Sequence, residues 1–186
     1  MLVDQIVNFD TVNDDQADPF LDLHAYSHTE LIATAAATAD FLDDDLADFS
    51  NLHVFTEKLM RIAYFPEQNP VDGESPLHGR ITFSQDNQTA MYHSADEHTF
   101  DRSASRIVAN LPPMETIGRN VFVAWSSADG GHLVLKNLAV DPTLERNYID
   151  IQNDLGWNPG TYVASVYSSD ESLQLLATGT YRISGY

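Results

Sequence analysis

From Thr161 to Tyr167 the side chains alternate, with Tyr162, Ala164 and Val166 on one face and Val163, Ser165 and Tyr167 on the other. That period of two predicts a strand. Asn158-Pro159-Gly160 is a turn before it. Ser168 to Glu171 is a short polar connection, after which Leu173, Leu175 and Ala177 alternate again, so the two strands are expected to be antiparallel neighbours. Gly179 is expected to mark a bulge or bend before Tyr181 and Ile183 resume the pattern. Further strands are predicted over 80–84, 88–93, 105–110, 120–126, 132–139 and 147–151. In 120–126 both faces are apolar, Val121, Val123 and Trp125 on one and Phe122 and Ala124 on the other. Such a strand is central, with an opposing sheet on one side and helices on the other. Asp129-Gly130-Gly131 gives a tight hairpin into the next strand. The pattern predicts eight strands in two antiparallel sheets with Trp125 in the core.

Upstream the period changes. Ser27 followed by Glu30 has capping-box spacing. Leu31, Ala35, Ala39, Leu42, Leu46 and Phe49 then recur at intervals of four and three, predicting one helix over about 28–49. Ser50 or Asn51 can cap a second helix, in which Leu52, Phe55, Leu59 and Ile62 share a face until Pro66 ends it. Two helices so close in sequence form a hairpin whose apolar faces need a third surface. The expected class is α+β: an acidic N-terminal segment over 1–75 with helices at about 28–49 and 52–65, then an antiparallel immunoglobulin-like β-sandwich over 76–186. Leu2, Val3, Ile6, Val7 and Phe9 fit a short strand or a helical turn, and Asp10 to Pro19 reads as a loop.

The immunoglobulin-like part of that expectation rests on a resemblance. The order of a turn, the strand Gly160-Thr161-Tyr162-Val163, an acidic loop and the last strand Gly179-Thr180-Tyr181-Arg182-Ile183 resembles the end of immunoglobulin-like and fibronectin-like modules. It spans about one seventh of the chain, is shared by many families and implies an antiparallel sandwich.

Charge changes the picture more than composition does. The net charge is −19, and residues 1–75 hold 16 Asp or Glu against Lys58 and Arg61, a balance of −14. In the predicted first helix Asp40, Asp44 and Asp48 repeat at intervals of four, beside Asp43 and Asp45. Like charges at that spacing repel, and acids sit badly at the negative end of a helix dipole. Either a solvated acidic surface suited to salty surroundings or a face covered by a basic protein accounts for a feature that opposes its own helix. Mimicry of nucleic-acid phosphate is a special case of the second. Direct nucleic-acid binding is disfavoured by phosphate repulsion.

No chemistry is forced. His24 and His28 stand four apart with Glu30 behind, and His93 and His98 flank Asp96 and Glu97, so both are candidate metal clusters. Asp10, Asn13, Asp14, Asp15 and Asp18 lack the glycine and distal glutamate of an EF-hand. The chain has no cysteine, no G-x-S-x-G elbow, no P-loop and no G-x-G-x-x-G. No catalytic residue and no cofactor is therefore assigned. No run of 18 apolar residues and no signal-peptide pattern occurs in the given sequence, so a cytoplasmic location is the default unless an upstream segment was removed.

The expected function is non-catalytic binding or assembly through protein contacts. A basic partner would meet Asp40, Asp43, Asp44 and Asp48, and Trp157, expected to be partly exposed, would be a second contact. A carbohydrate-binding module using Trp157, Tyr162 and Tyr167, a metal-dependent hydrolase using a His/Asp cluster, and a nucleic-acid-mimic inhibitor are the alternatives. The oligomeric state is left open.

Overall fold

The computed structural model describes residues 23, 25–41, 43–64, 76–85, 98–113, 120–127, 131–141, 143–144, 147–153 and 155–185. The predicted strand over 88–93, the N-terminal stretch 1–22, the 65–75 connection that holds the expected domain boundary, and the hairpin turn 128–130 lie outside them.

The chain is α+β. Among the described residues three helices come first: α1 (His28–Ala39), α2 (Asp43–Ala47) and α3 (Leu52–Tyr64). Nine strands follow among the described residues: β1 (Gly79–Arg80), β2 (Thr82–Gln85), β3 (His98–Phe100), β4 (Arg106–Asn110), β5 (Asn120–Ser127), β6 (His132–Ala139), β7 (Tyr148–Gln152), β8 (Gly160–Ser168) and β9 (Leu175–Ile183). The larger sheet runs β1-β9-β8-β5-β6, with β3 also on β9, and the smaller runs β2-β4-β7. The larger sheet is mixed rather than purely antiparallel, because β1 and β3 both pair with β9 in parallel. β3 escapes the hydrophobic pattern: three residues are too few for alternation to register.

The larger sheet is covered on both faces, as the two apolar faces of β5 require. Val121, Val123 and Trp125 pack with Phe83, Ile107 and Ala109 of the smaller sheet. Phe122 and Ala124 pack with Leu31, Ala35, Phe55 and Leu59 of the helices. Trp125 is fully buried and its indole donates to the Tyr181 hydroxyl at 3.2 Å. Tyr162 stacks on Tyr181 with ring centroids 5.1 Å apart. Burial, ahead of any other influence, pushes the Tyr181 phenol above its ordinary range.

Two details of β9 differ from expectation. The irregularity in its pairing falls opposite Val166 and Tyr167, where Leu176 is the extra residue. Leu175 then joins the helix-facing core while Leu176 and Ala177 both join the inter-sheet core. Gly179 is instead a close backbone approach, since a Cβ there would meet the Ile81 carbonyl oxygen and lie 2.9 Å from the Phe83 ring. At Ile81 the chain leaves β1, on the larger sheet, for β2, on the smaller one.

The expected single helix over 28–49 is broken. The Ser27–Glu30 capping box is present at its start. At Asp40 the backbone turns left-handed (φ 55°), and its N–H closes the helix on the Ala36 carbonyl. The aspartate row that would have opposed the helix dipole thus lies beyond the end of α1, mostly on a separate five-residue helix.

Candidate acidic interaction face

Residues 40–52 contain five aspartates and no lysine or arginine. The break at Asp40 lets Phe41 turn into the core, where its ring meets Phe55 at 5.1 Å and Phe122 at 5.8 Å. Leu46 is fully buried, and Phe49 packs edge-on against Phe55 at 4.8 Å. With three hydrophobic anchors turned inward, Asp40, Asp44, Asp45 and Asp48 are left exposed. Asp43 opens α2, and its side chain lies outside the described residues.

The far end of this segment is fixed by a contact absent from the sequence pattern. Glu171, in the β8–β9 connection, accepts from the Ser50 backbone N–H at 2.7 Å and from the Ser50 hydroxyl at 2.9 Å. A carboxylate at the start of α3 complements its unpaired amides and dipole. The Ser50 hydroxyl, then the Ser50 and Asn51 amides, hold the Glu171 carboxyl below its usual range. Beside it burial raises the Asp170 carboxyl, but hydrogen bonds from Ser172 and Ser168 outweigh this and leave it lowered. Lys58 approaches the same loop, with Nζ 3.5 Å from the Ser172 carbonyl and 6.0 Å from the Tyr167 ring centroid. The acidic segment is therefore clamped to the sheet at one end by Phe41 and at the other by Ser50.

Trp157 is placed otherwise than expected. Only 1% of it is exposed, its indole donates to the Ala104 carbonyl at 2.6 Å, and its backbone N–H donates to Arg102. Its loop is drawn onto the start of β4, so the indole fills the end of the inter-sheet core. The exposed residue there is Leu155, 99% accessible, on a turn built by Asn153: its Oδ1 accepts from Leu155 N–H and its amide donates to the Gly156 carbonyl. Tyr162 and Tyr167 are buried as well, which removes the aromatic strip proposed for a sugar. Polarity alone could not separate Leu155 from Trp157; the Asn-x-x-Gly turn beneath was the available signal.

Of the metal candidates, His28 is exposed in the first turn of α1. His24, His93 and the side chain of His98 lie outside the described residues, as do Asp10 to Asp18. Among the described residues no group of three His, Cys, Asp or Glu side chains could hold a metal ion. No helix among them is long and apolar enough to cross a membrane. Compared with models of protein families and with curated proteins, the chain matches none.

Proposed function

We propose that the chain is a non-catalytic binding protein, in which an acidic helical hairpin rests on an immunoglobulin-like β-sandwich and recruits a basic protein partner. The observation that carries the reading is the fixed display of Asp44 and Asp45 on α2 and of Asp48 just after it. These acids are exposed while Phe41, Leu46 and Phe49 of the same segment are anchored inside. A preorganised array of one sign attracts a cationic surface over long range and loses little freedom on binding.

The immunoglobulin-like half of the proposal draws on three features of the sheets. The antiparallel orders β2-β4-β7 and β9-β8-β5-β6 face one another around a tryptophan, Trp125, on the strand that leads the second group. The Tyr162 hydroxyl, near the start of β8, donates to the Asn158 carbonyl four residues upstream at 2.8 Å. That arrangement matches the tyrosine corner of such sandwiches. The inter-sheet disulfide of antibody domains has no counterpart, because the chain has no cysteine.

Titration of a captured basic partner against wild type and an Asp44→Lys, Asp45→Lys, Asp48→Lys variant tests the reading. The partner's affinity for wild type is expected to fall with salt and to be lost in the variant. Equal affinity and an equal salt slope for both proteins would refute it. A partner displaced by DNA would identify the nucleic-acid-mimic form of the same function.

A further inference from the structure

β5 and β6 depart from regular pairing at one place. Trp125 faces Val134 and Ser126 faces His132, which leaves Leu133 as an extra residue in β6. The bulge leaves Leu133 exposed and sets His132, rather than a leucine, across from Ser126. Ser126 continues the helix-facing row of Phe122 and Ala124, and His132 reaches the helices directly. Its Nε2–H donates to the Ala63 carbonyl, one of the last four of α3, which have no partner within the helix. α3 is thus tied to the larger sheet near both ends, by Glu171 just before its start and by His132 in its last turn.

Two polar atoms on this rung are left over. Ser126 is 1% exposed and its hydroxyl has no hydrogen-bond partner, and the buried Nδ1 of His132 has none either. Because a carbonyl only accepts, Nε2 must carry the proton it shares with Ala63, so Nδ1 of the neutral ring is an acceptor that needs a donor. The two atoms do not bond to each other, although cross-strand partners hold their Cβ atoms only about 5 Å apart. One small molecule between them would satisfy both. We propose that Ser126 Oγ and His132 Nδ1 form an internal water site, in which a single water donates to Nδ1 and bonds the Ser126 hydroxyl. Water fits because it donates and accepts at once, and a hydroxyl can answer in either role. A serine beside a histidine steadied by a third group has the outline of a nucleophile and its base. Here the serine is closed to solvent, so no substrate reaches it. The water completes the anchor of α3 on the β5–β6 pair, and this inference is independent of the basic partner.

Water-to-protein NOE spectra of the chain spanning residues 1–186, with 15N-labelled histidine, test the site in wild type, Ser126→Ala and Ser126→Val. The wild type is expected to hold His132 in its Nε2–H form and to show a cross-peak from a long-lived water to the ring Hε1. That cross-peak should persist in Ser126→Ala, which keeps Nδ1 and enlarges the site. It should vanish in Ser126→Val, whose added methyl groups take the water's place. Absence of the cross-peak in wild type, or a proton on Nδ1 in place of Nε2, would overturn the proposal. So would its loss in Ser126→Ala, the mark of exchange relayed from the serine hydroxyl, or its survival in Ser126→Val. Wild type and Ser126→Ala decide the question by themselves if the valine variant does not fold.

Discussion

Gly179 and Ile81 touch backbone to backbone: the Ile81 carbonyl occupies the space a side chain on Gly179 would need, and the Ile81 N–H donates to the neighbouring Thr178 carbonyl at 2.9 Å. The first strand pair can therefore cross from one sheet to the other only over a glycine. Gly179→Ala is expected to cost about 3 kcal/mol or more, the upper range for overpacking, because the obstacle is backbone that cannot rotate away. Gly185→Ala, where a Cβ would lie 3.8 Å from Pro159, is the control and should shift stability by less than ~0.5 kcal/mol. Urea midpoints of the two variants check this.

The Glu171 contact with Ser50 gives a signed pH dependence. Its folded-state carboxyl is held below the ordinary value of 4.5. The contribution is present above the unfolded-state value and disappears as pH falls through the folded one. Glu171→Gln should thus be less stable than wild type at neutral pH, and the two melting temperatures should converge in acid. A difference that stays constant from neutral pH into acid would show that the charge is not what holds α3.

Asp40 tests the break in the helical segment. It is not glycine yet sits at φ 55°. Asp40→Gly should keep or raise stability by up to ~1 kcal/mol, while Asp40→Val, β-branched, should lower it by at least that much. If α1 continued through residue 40, the order would reverse, and thermal melts of the two variants read it directly.

Trp157 and Leu155 should behave oppositely despite being two residues apart. Trp157→Ala is expected to cost about 3–5 kcal/mol, as for a large core side chain, and Leu155→Ser less than ~0.5 kcal/mol. Denaturant titration of both separates the buried anchor from the displayed side chain.

The sequence carried the regular parts of this fold well. The alternation in 120–126 revealed that β5 is covered on both faces, and the Ser27–Glu30 spacing located the start of α1. Relationships between distant residues were illegible: nothing local to Glu171 announces that it caps a helix more than a hundred residues earlier. Likewise the periodicity of Leu31 to Phe49 continued through Asp40 because a left-handed cap inserts no gap in an apolar count, yet it re-aims everything after it. The Asp40–Asp48 row was legible as charge, but not as a short separate helix with Phe41 turned inward. Trp157 was misplaced because a loop tryptophan is assigned to surface or core by what lies opposite it.

The display of acids on and just after α2 as a partner-binding face is tested most directly by capture from the source lysate on two baits spanning residues 1–186, wild type and the Asp44→Lys, Asp45→Lys, Asp48→Lys variant. Each is washed at about 0.1 M and about 1 M salt, conditions in which screening shortens from ~10 Å to ~3 Å. The account predicts a basic protein held by wild type at low salt, released at high salt and missing from the variant. The same protein held by both baits and resistant to salt in both would contradict it.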